Sequence, residues 1–178
     1  MENRYMGALA LSWAKLLSEQ VEVVPSTTSK VQLEDGSSLL LEEGKPSRIP
    51  RWMANKMGRE VQVREKEPDV KELSTAAWVE QNDQKNLKKV DSLIYARASL
   101  WLSSGERKEL RASLSELLSV RRRKVIEAAL SNRQDQAFYA AMTLEERMLY
   151  EDLRRSLDQW QEMLSSVLSG LVPGGEVL

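Results

Sequence analysis

The stretch REKEPDVKE, residues 64–72, most constrains how this chain can fold, because the hydrophobic pattern on its two sides has different periods. Before it, short β-favouring runs (VEVVP, KVQL, LLLE, EVQVR) are separated by Pro, Gly and Ser. After it, apolar residues recur at spacings of three and four, the signature of amphipathic helices. Pro68 cannot continue a central strand and biases its neighbour away from helix, so neither pattern crosses it. The chain reads as α+β. Residues 1–66 are a leading helix plus a small β-rich domain, and residues 67–178 are a larger all-α helical-bundle domain.

Composition narrows function. The 178 residues include 30% charged side chains, a net charge of -1, no cysteine and no histidine. There is no disulfide frame, no thiol nucleophile, no thiolate zinc site and no imidazole base, which argues against an enzyme and against a metal or cofactor. A near-neutral chain has no global field for DNA or an anionic membrane. No apolar run approaches the roughly 20 residues that span a bilayer, and the start MENRYMGALALSWAKLLSEQ lacks a basic leader. The expectation is a soluble cytoplasmic protein.

Local signals place the elements. Met6, Leu9, Trp13, Leu16 and Leu17 form one stripe on a first helix. In SRIPRWMANKMG, Pro50 stands where a first turn would begin and Gly58 just past the end, marking a short helix whose Trp52, Met53 and Met57 would cover the sheet. Further helices are predicted over Val70–Asn82 (Leu73, Ala77, Trp78), Leu87–Leu102 (including Trp101) and from Glu106 towards Asn132. A last one opens at Thr143 with Leu149, Leu153, Trp160, Met163, Leu164 and Val167 as apolar positions. Ser103 to Glu106 and Thr143 to Glu146 both have capping-box spacing. Short connections suggest a bundle.

The run SVRRRKVIEAAL sets four cations in a row: a nucleic-acid grip, a solvated face or internal ion-pair donors. At 100° per residue they cannot share a face. Phased against Leu114, Leu117, Leu118, Val125 and Ala128, Arg121 points at the core or at a partner, Arg122 and Lys124 flank that stripe with snorkelling stems, and Arg123 faces water. A buried guanidinium needs a partner. Residues 105–133 carry eight cations and four anions, whereas residues 143–178 carry seven anions and three cations. An antiparallel pairing of the two segments would let Glu146, Glu151 or Asp152 meet Arg121 or Lys124. The carboxylates of EERMLYEDL have no matching cluster for a metal, and no phosphate loop is present. The five tryptophans, Trp13, Trp52, Trp78, Trp101 and Trp160, lie in apolar patterns that fit core or interface packing.

Three segments in order, IPRWMA (49–54), RRRKV (121–125) and TLEERMLY (143–150), resemble the "LPxWxA", "RxxKI" and "TxEExxLY" motifs of GINS replication-complex subunits. The order of domains is similar to the archaeal class with the β domain first. The Gly-Pro-Phe turn often found in that family is replaced here by DGSSLLLEEGKPS. The resemblance implies a non-catalytic scaffold that assembles with a second GINS subunit type as a heterotetramer, and that bridges and activates the MCM helicase together with a RecJ-like partner, near the nucleoid. It makes Trp52, Trp101, Arg121, Lys124, Glu146, Tyr150, Glu151 and Trp160 candidates for structural or interface roles. The alternative reading is a nucleic-acid-binding helical regulator that uses Arg122, Arg123 and Lys124 on phosphates, whose affinity would fall steeply with salt.

Overall fold

The computed structural model describes residues 4–32, 36–65, 68–103, 105 and 107–169. Two compact units are present: residues 10–69, and residues 1–9 with 70–178. Helix α1 (Arg4–Ser18) contributes its first turns to the second of these. Its buried line runs through Ala8, Ser12 and Leu16, with Leu9 and Trp13 half-buried and Met6 exposed. The inward face is thus centred one position away from the stripe read through Met6, because two small residues form its middle.

In residues 10–69, strands β1 (Gln20–Pro25), β4 (Ser47–Pro50) and β5 (Val61–Arg64) form an antiparallel sheet in the order β4-β1-β5, while β2 (Ser29–Gln32) and β3 (Ser38–Leu41) pair separately. Every second residue of β1 points inward, and the register places Val21 opposite Ile49 and Pro25 opposite Val61. The core is Val21, Val23, Leu41, Ile49, Met53, Ala54 and Val61. Each large member contributes roughly 1.5–3 kcal/mol through burial. Half of the EDGS turn, Glu34 and Asp35, lies outside the described residues.

Helix α2 (Arg51–Met57) begins directly after Pro50, whose fixed φ and missing N–H suit that position, and ends at Gly58. Gly58 has φ +57° and ψ -115°, a conformation open essentially to glycine. Met53 packs into the core and Met57 against it, but Trp52 is 41% exposed. Trp52 therefore does not cover the sheet: one residue before Met53, it lies about 100° round the helix from it. Arg51 is buried and forms a two-pronged pair with Glu65, Nη1 to Oε2 at 2.8 Å and Nη2 to Oε1 at 2.6 Å.

The helical unit is built on α5 (Lys108–Leu130), which packs against α3 (Val70–Asn82), α4 (Ile94–Ser103) and α7 (Leu144–Leu168). Leu87, Val125, Ala128, Phe138 and Met142 form one core cluster, and Ile94, Ala98, Leu110 and Leu114 another. The helix predicted from Leu87 starts only at Ile94. Residues 83–93 are irregular, and their main-chain groups serve other partners: the carbonyls of Lys85, Asn86 and Lys88 accept from Arg133, Lys124 and Arg121. Asp91 stops the coil by accepting the Leu93 N–H at 3.0 Å.

A short helix, α6 (Gln136–Ala141), was not anticipated; Asp135 caps it, accepting from Ala137 and Phe138 N–H. Its presence changes the path of the chain. Residues 131–142 run back along α5, so Ala141 reaches Arg121 and Phe138 packs with Val125 and Ala128. Helix α7 then runs in the same direction as α5: Arg121 meets Glu146, Val125 and Ala128 lie near Leu149 and Tyr150, and Arg154 reaches the Ala129 carbonyl. The expected antiparallel pairing is therefore wrong, because a third segment makes the return. The capping box at Ser103 and Glu106 falls partly outside the described residues.

Candidate functional site

Helix phasing alone puts Arg121 on the inner line of α5, one turn beyond Leu117 and one before Val125. The structure leaves it 0% exposed, with Glu80 at 1%, Glu146 at 2% and Lys124 at 4%. All five guanidinium N–H donors find acceptors. Nε and Nη2 grip Glu146 through Oε1 and Oε2, both at 2.8 Å. Nη1 donates to Glu80 Oε1 and to the Lys88 carbonyl, each at 2.7 Å, and Nη2 donates to the Ala141 carbonyl at 3.1 Å. Lys124 Nζ pairs with Glu80 Oε2 and donates to the Asn86 carbonyl at 2.7 Å. Two cations and two carboxylates make the cluster neutral. Burial works against the Arg121 charge, but the Glu146 hydrogen bonds and the Glu146 and Glu80 charges outweigh it and hold its pKa above the ordinary arginine value.

Glu146 has a second task. It completes the capping box of α7, with its Oε2 accepting the Thr143 N–H at 2.9 Å and its own N–H reaching Thr143 Oγ1 at 3.3 Å. The first turn of α7 and the buried cation are thus fixed by one carboxylate. Tyr95 lies beside it, its hydroxyl 3.4 Å from Glu146 Oε1. Burial, reinforced by the Glu146 charge, pushes the Tyr95 pKa far above the usual phenol value. Buried ion clusters of this kind add little net stability over apolar packing, but removing one member is severe. Their clearest consequence here is register: α3, the 83–93 coil, α6 and α7 all terminate on one guanidinium.

Lys124 does not flank the core with a snorkelling stem; it is buried, drawn in by Glu80. Glu80 was missed although the signal exists: Leu73, Ala77 and Glu80 at i, i+4 and i+7 share one face of α3, so the buried line of that helix ends on a carboxylate. Trp78, expected on that face, is 63% exposed. Glu151 meets neither cation and instead accepts from the Tyr139 hydroxyl, while Asp152 pairs with Arg4 at 2.7 Å and Arg155 at 3.3 Å. Tyr150 packs against the Phe138 cluster, edge-on to Tyr139, and donates to the Arg133 carbonyl. Trp101 is half-buried against the Ile94 cluster.

Of the three cations assigned to phosphate in the alternative reading, Lys124 is committed to Glu80. Arg122 and Arg123 remain exposed, the latter 3.9 Å from an equally exposed Glu127. Such a pair contributes little. No group of three or more carboxylate, His or Cys side chains able to hold a metal occurs among the described residues, and no described helix is long and apolar enough to cross a membrane.

The other distinctive surface is the distal half of α7. Tyr150, Leu153, Leu157, Trp160, Leu164 and Val167 follow one another at alternating steps of three and four, a heptad spacing. Tyr150, Leu153 and Leu157 are half-buried, but from Trp160 onward the stripe lies open: Trp160, Met163, Leu164 and Val167 are all exposed. Apolar stripes of this length on an otherwise polar helix mark contact surfaces.

In comparison with known families, the family model described as Sld5: GINS complex protein helical bundle domain matches residues 53–164, more than half of the chain. Among curated proteins none matches.

Proposed function

Because the chain belongs to the GINS complex helical-bundle family, a family of non-catalytic replication-complex subunits, we propose that it assembles with a second GINS subunit type through the distal stripe of α7. The observation that carries this reading is the heptad of Trp160, Leu164 and Val167, exposed beyond Leu157. A seam of this spacing is satisfied by knobs-into-holes packing against another helix, with the indole as the natural anchor. The ion cluster at Arg121 does a different job, holding α7 at the angle from which its far end projects.

The finer reading follows the resemblance. The subunit is of the archaeal class with its β unit ahead of its helical unit, the assembly is a heterotetramer, and that heterotetramer bridges the MCM helicase and a RecJ-like partner to activate unwinding. The β unit, with Trp52 on its surface, is the part free for contacts outside the tetramer. Work of this kind requires surfaces rather than a reactive centre.

Co-expression with a candidate second subunit, followed by size-exclusion chromatography with light scattering, tests the proposal. Trp160→Asp and Leu164→Asp are expected to abolish the complex while leaving the melting temperature of the isolated chain within a degree or two, since neither side chain is buried within it. Complexes that survive both substitutions would exclude this face.

A further inference from the structure

At the other end of α7, about 20 Å along the helix from Trp160, its first turns and α6 line a cavity of about 470 Å³. Phe138, Tyr139, Met142 and Tyr150 make its walls mainly apolar, and size and lining both fall in the range of ligand pockets. Three charged side chains reach it. Arg133 and Asp135 answer each other at 2.6 Å, and Arg133 also donates to the Lys85 carbonyl and lies 4.4 Å over the Phe138 ring. Arg147 differs. Its guanidinium sits 5.1 Å over the Tyr139 ring and its Nε donates to the Tyr139 carbonyl at 3.3 Å, which together orient the group. Nη1 and Nη2 have no acceptor among the described residues, and neither is shut off from solvent. Glu151, one turn further on, has the spacing of an ion-pair partner but accepts from the Tyr139 hydroxyl instead. The cavity therefore holds one unanswered positive charge, already oriented and reachable, beside apolar walls.

We propose that this cavity docks a partner polypeptide that presents an acidic side chain next to an apolar one. The carboxylate takes Nη1 and Nη2 of Arg147 in a two-pronged pair, and the apolar neighbour fills the space between Phe138, Met142 and Tyr150. A carboxylate is the matching acceptor because its two oxygens meet two parallel N–H groups at once. The orientation fixed by Tyr139 means that little side-chain freedom is lost on pairing. Two features favour a polypeptide over a nucleic acid. Arg133 and Asp135 cancel, so the lining offers a single free cation, whereas a phosphate backbone is held by several. Gln134 and Gln136, both exposed on the lining, carry carboxamides with no partner among the described residues, and a carboxamide offers the donor and the acceptor that a peptide main chain requires.

The test uses the full chain with 13C-labelled methionine and alanine methyls, titrated with the peptide acetyl-Phe-Glu-amide and, separately, with acetyl-Phe-Gln-amide, which has the same shape without the charge. The acidic peptide is expected to shift the methyls of Met142 and Ala140 and to bind about tenfold more tightly than the neutral one, a factor equal to about 1.4 kcal/mol. Arg147→Gln should remove that preference and leave the weaker apolar binding. Equal binding of the two peptides by the unmodified chain, which needs no variant to fold, would overturn the proposal. So would a preference that persists in Arg147→Gln. With Glu151→Gln, an unchanged preference supports an outside carboxylate; a preference that appears only in this variant would make Glu151 the internal answer to Arg147, and the proposal would fail. Two further ligands separate the sources. If 3-phenylpropionate binds more tightly than the acidic peptide, the cavity belongs to a small acid; if a ten-nucleotide oligothymidylate moves the same methyls at lower concentration, it belongs to phosphate. Either result would overturn the peptide assignment, and weaker binding of both supports it.

Discussion

Replacing Arg121 by alanine is the most informative single perturbation. The substitution removes five hydrogen bonds and leaves the cluster with one excess negative charge inside the unit, since Lys124 can answer only Glu80. Glu146 keeps the Thr143 N–H and Tyr95, which donate but carry no charge. The Lys88 and Ala141 carbonyls lose this donor, at about 1–3 kcal/mol for each group left unsatisfied. Relaxation and water entry into the space vacated by the side chain offset part of this. Breaking a buried pair from one side typically costs about 3–5 kcal/mol, and that is the expected loss. With a urea dependence near 2 kcal/mol per molar, the midpoint of the helical unit falls by about 2 M. Arg123→Ala, whose side chain is 61% exposed, should stay within about 0.5 kcal/mol of the parent. Urea unfolding followed by circular dichroism decides the matter, and the double variant Arg121→Met with Glu146→Met adds a control: removing both charges should cost less than the sum of the two single changes. If Arg121→Ala and Arg123→Ala differ by less than about 1 kcal/mol, the cluster does not organise the unit and the reasoning fails.

Two further outcomes follow from the same neighbourhood. Thr143→Ala removes one half of the α7 capping box and should lower stability by about 0.5–2 kcal/mol, read as a drop in melting temperature, with Thr143→Ser recovering most of it. Tyr95 has a folded-state pKa raised above the ordinary phenol value of about 10, so its contribution is complete below that pH and is lost as pH rises beyond it. Stability measured between neutral pH and pH 11 should therefore fall in the parent and fall less in Tyr95→Phe; parallel curves would contradict the assignment.

How far the sequence determines this structure differs from element to element. Val70–Asn82 forms a helix over the predicted residues, and Arg121 lies on the inner face that helical phasing assigns to it, because both readings rest on local periodicity. Lys124 and Glu80 were misplaced or missed since each is a charge on a buried face, a position that makes sense only once the other is known. Leu87–Leu93 has helical spacing, but the carbonyls of Lys85, Asn86 and Lys88, at and just before its start, are claimed by cations 33 to 48 residues away, and tertiary hydrogen bonds override the local preference. The same applies to the direction of α7. Charge totals suggested that α5 and the last segment would meet, and they do, but totals carry no orientation, and the six residues of α6 that reverse the path have too short an apolar pattern to announce themselves.

The acceptors of Arg121 lie 20 to 41 residues away along the chain, on both sides of it. A nascent chain that ends before Ala141 offers the guanidinium only Glu80 and the Lys88 carbonyl, so α3 and α5 can dock early only around an incompletely answered charge. The arrival of residues 141–146 supplies the other three acceptors in one step. Folding of this unit is then a closing event rather than a gradual accretion, with slow hydrogen exchange in α3 and α5 appearing only when α7 is in place. Opening at the start of α7 releases the rest at the same time, which ties the surface carried by its far end to the integrity of the whole unit.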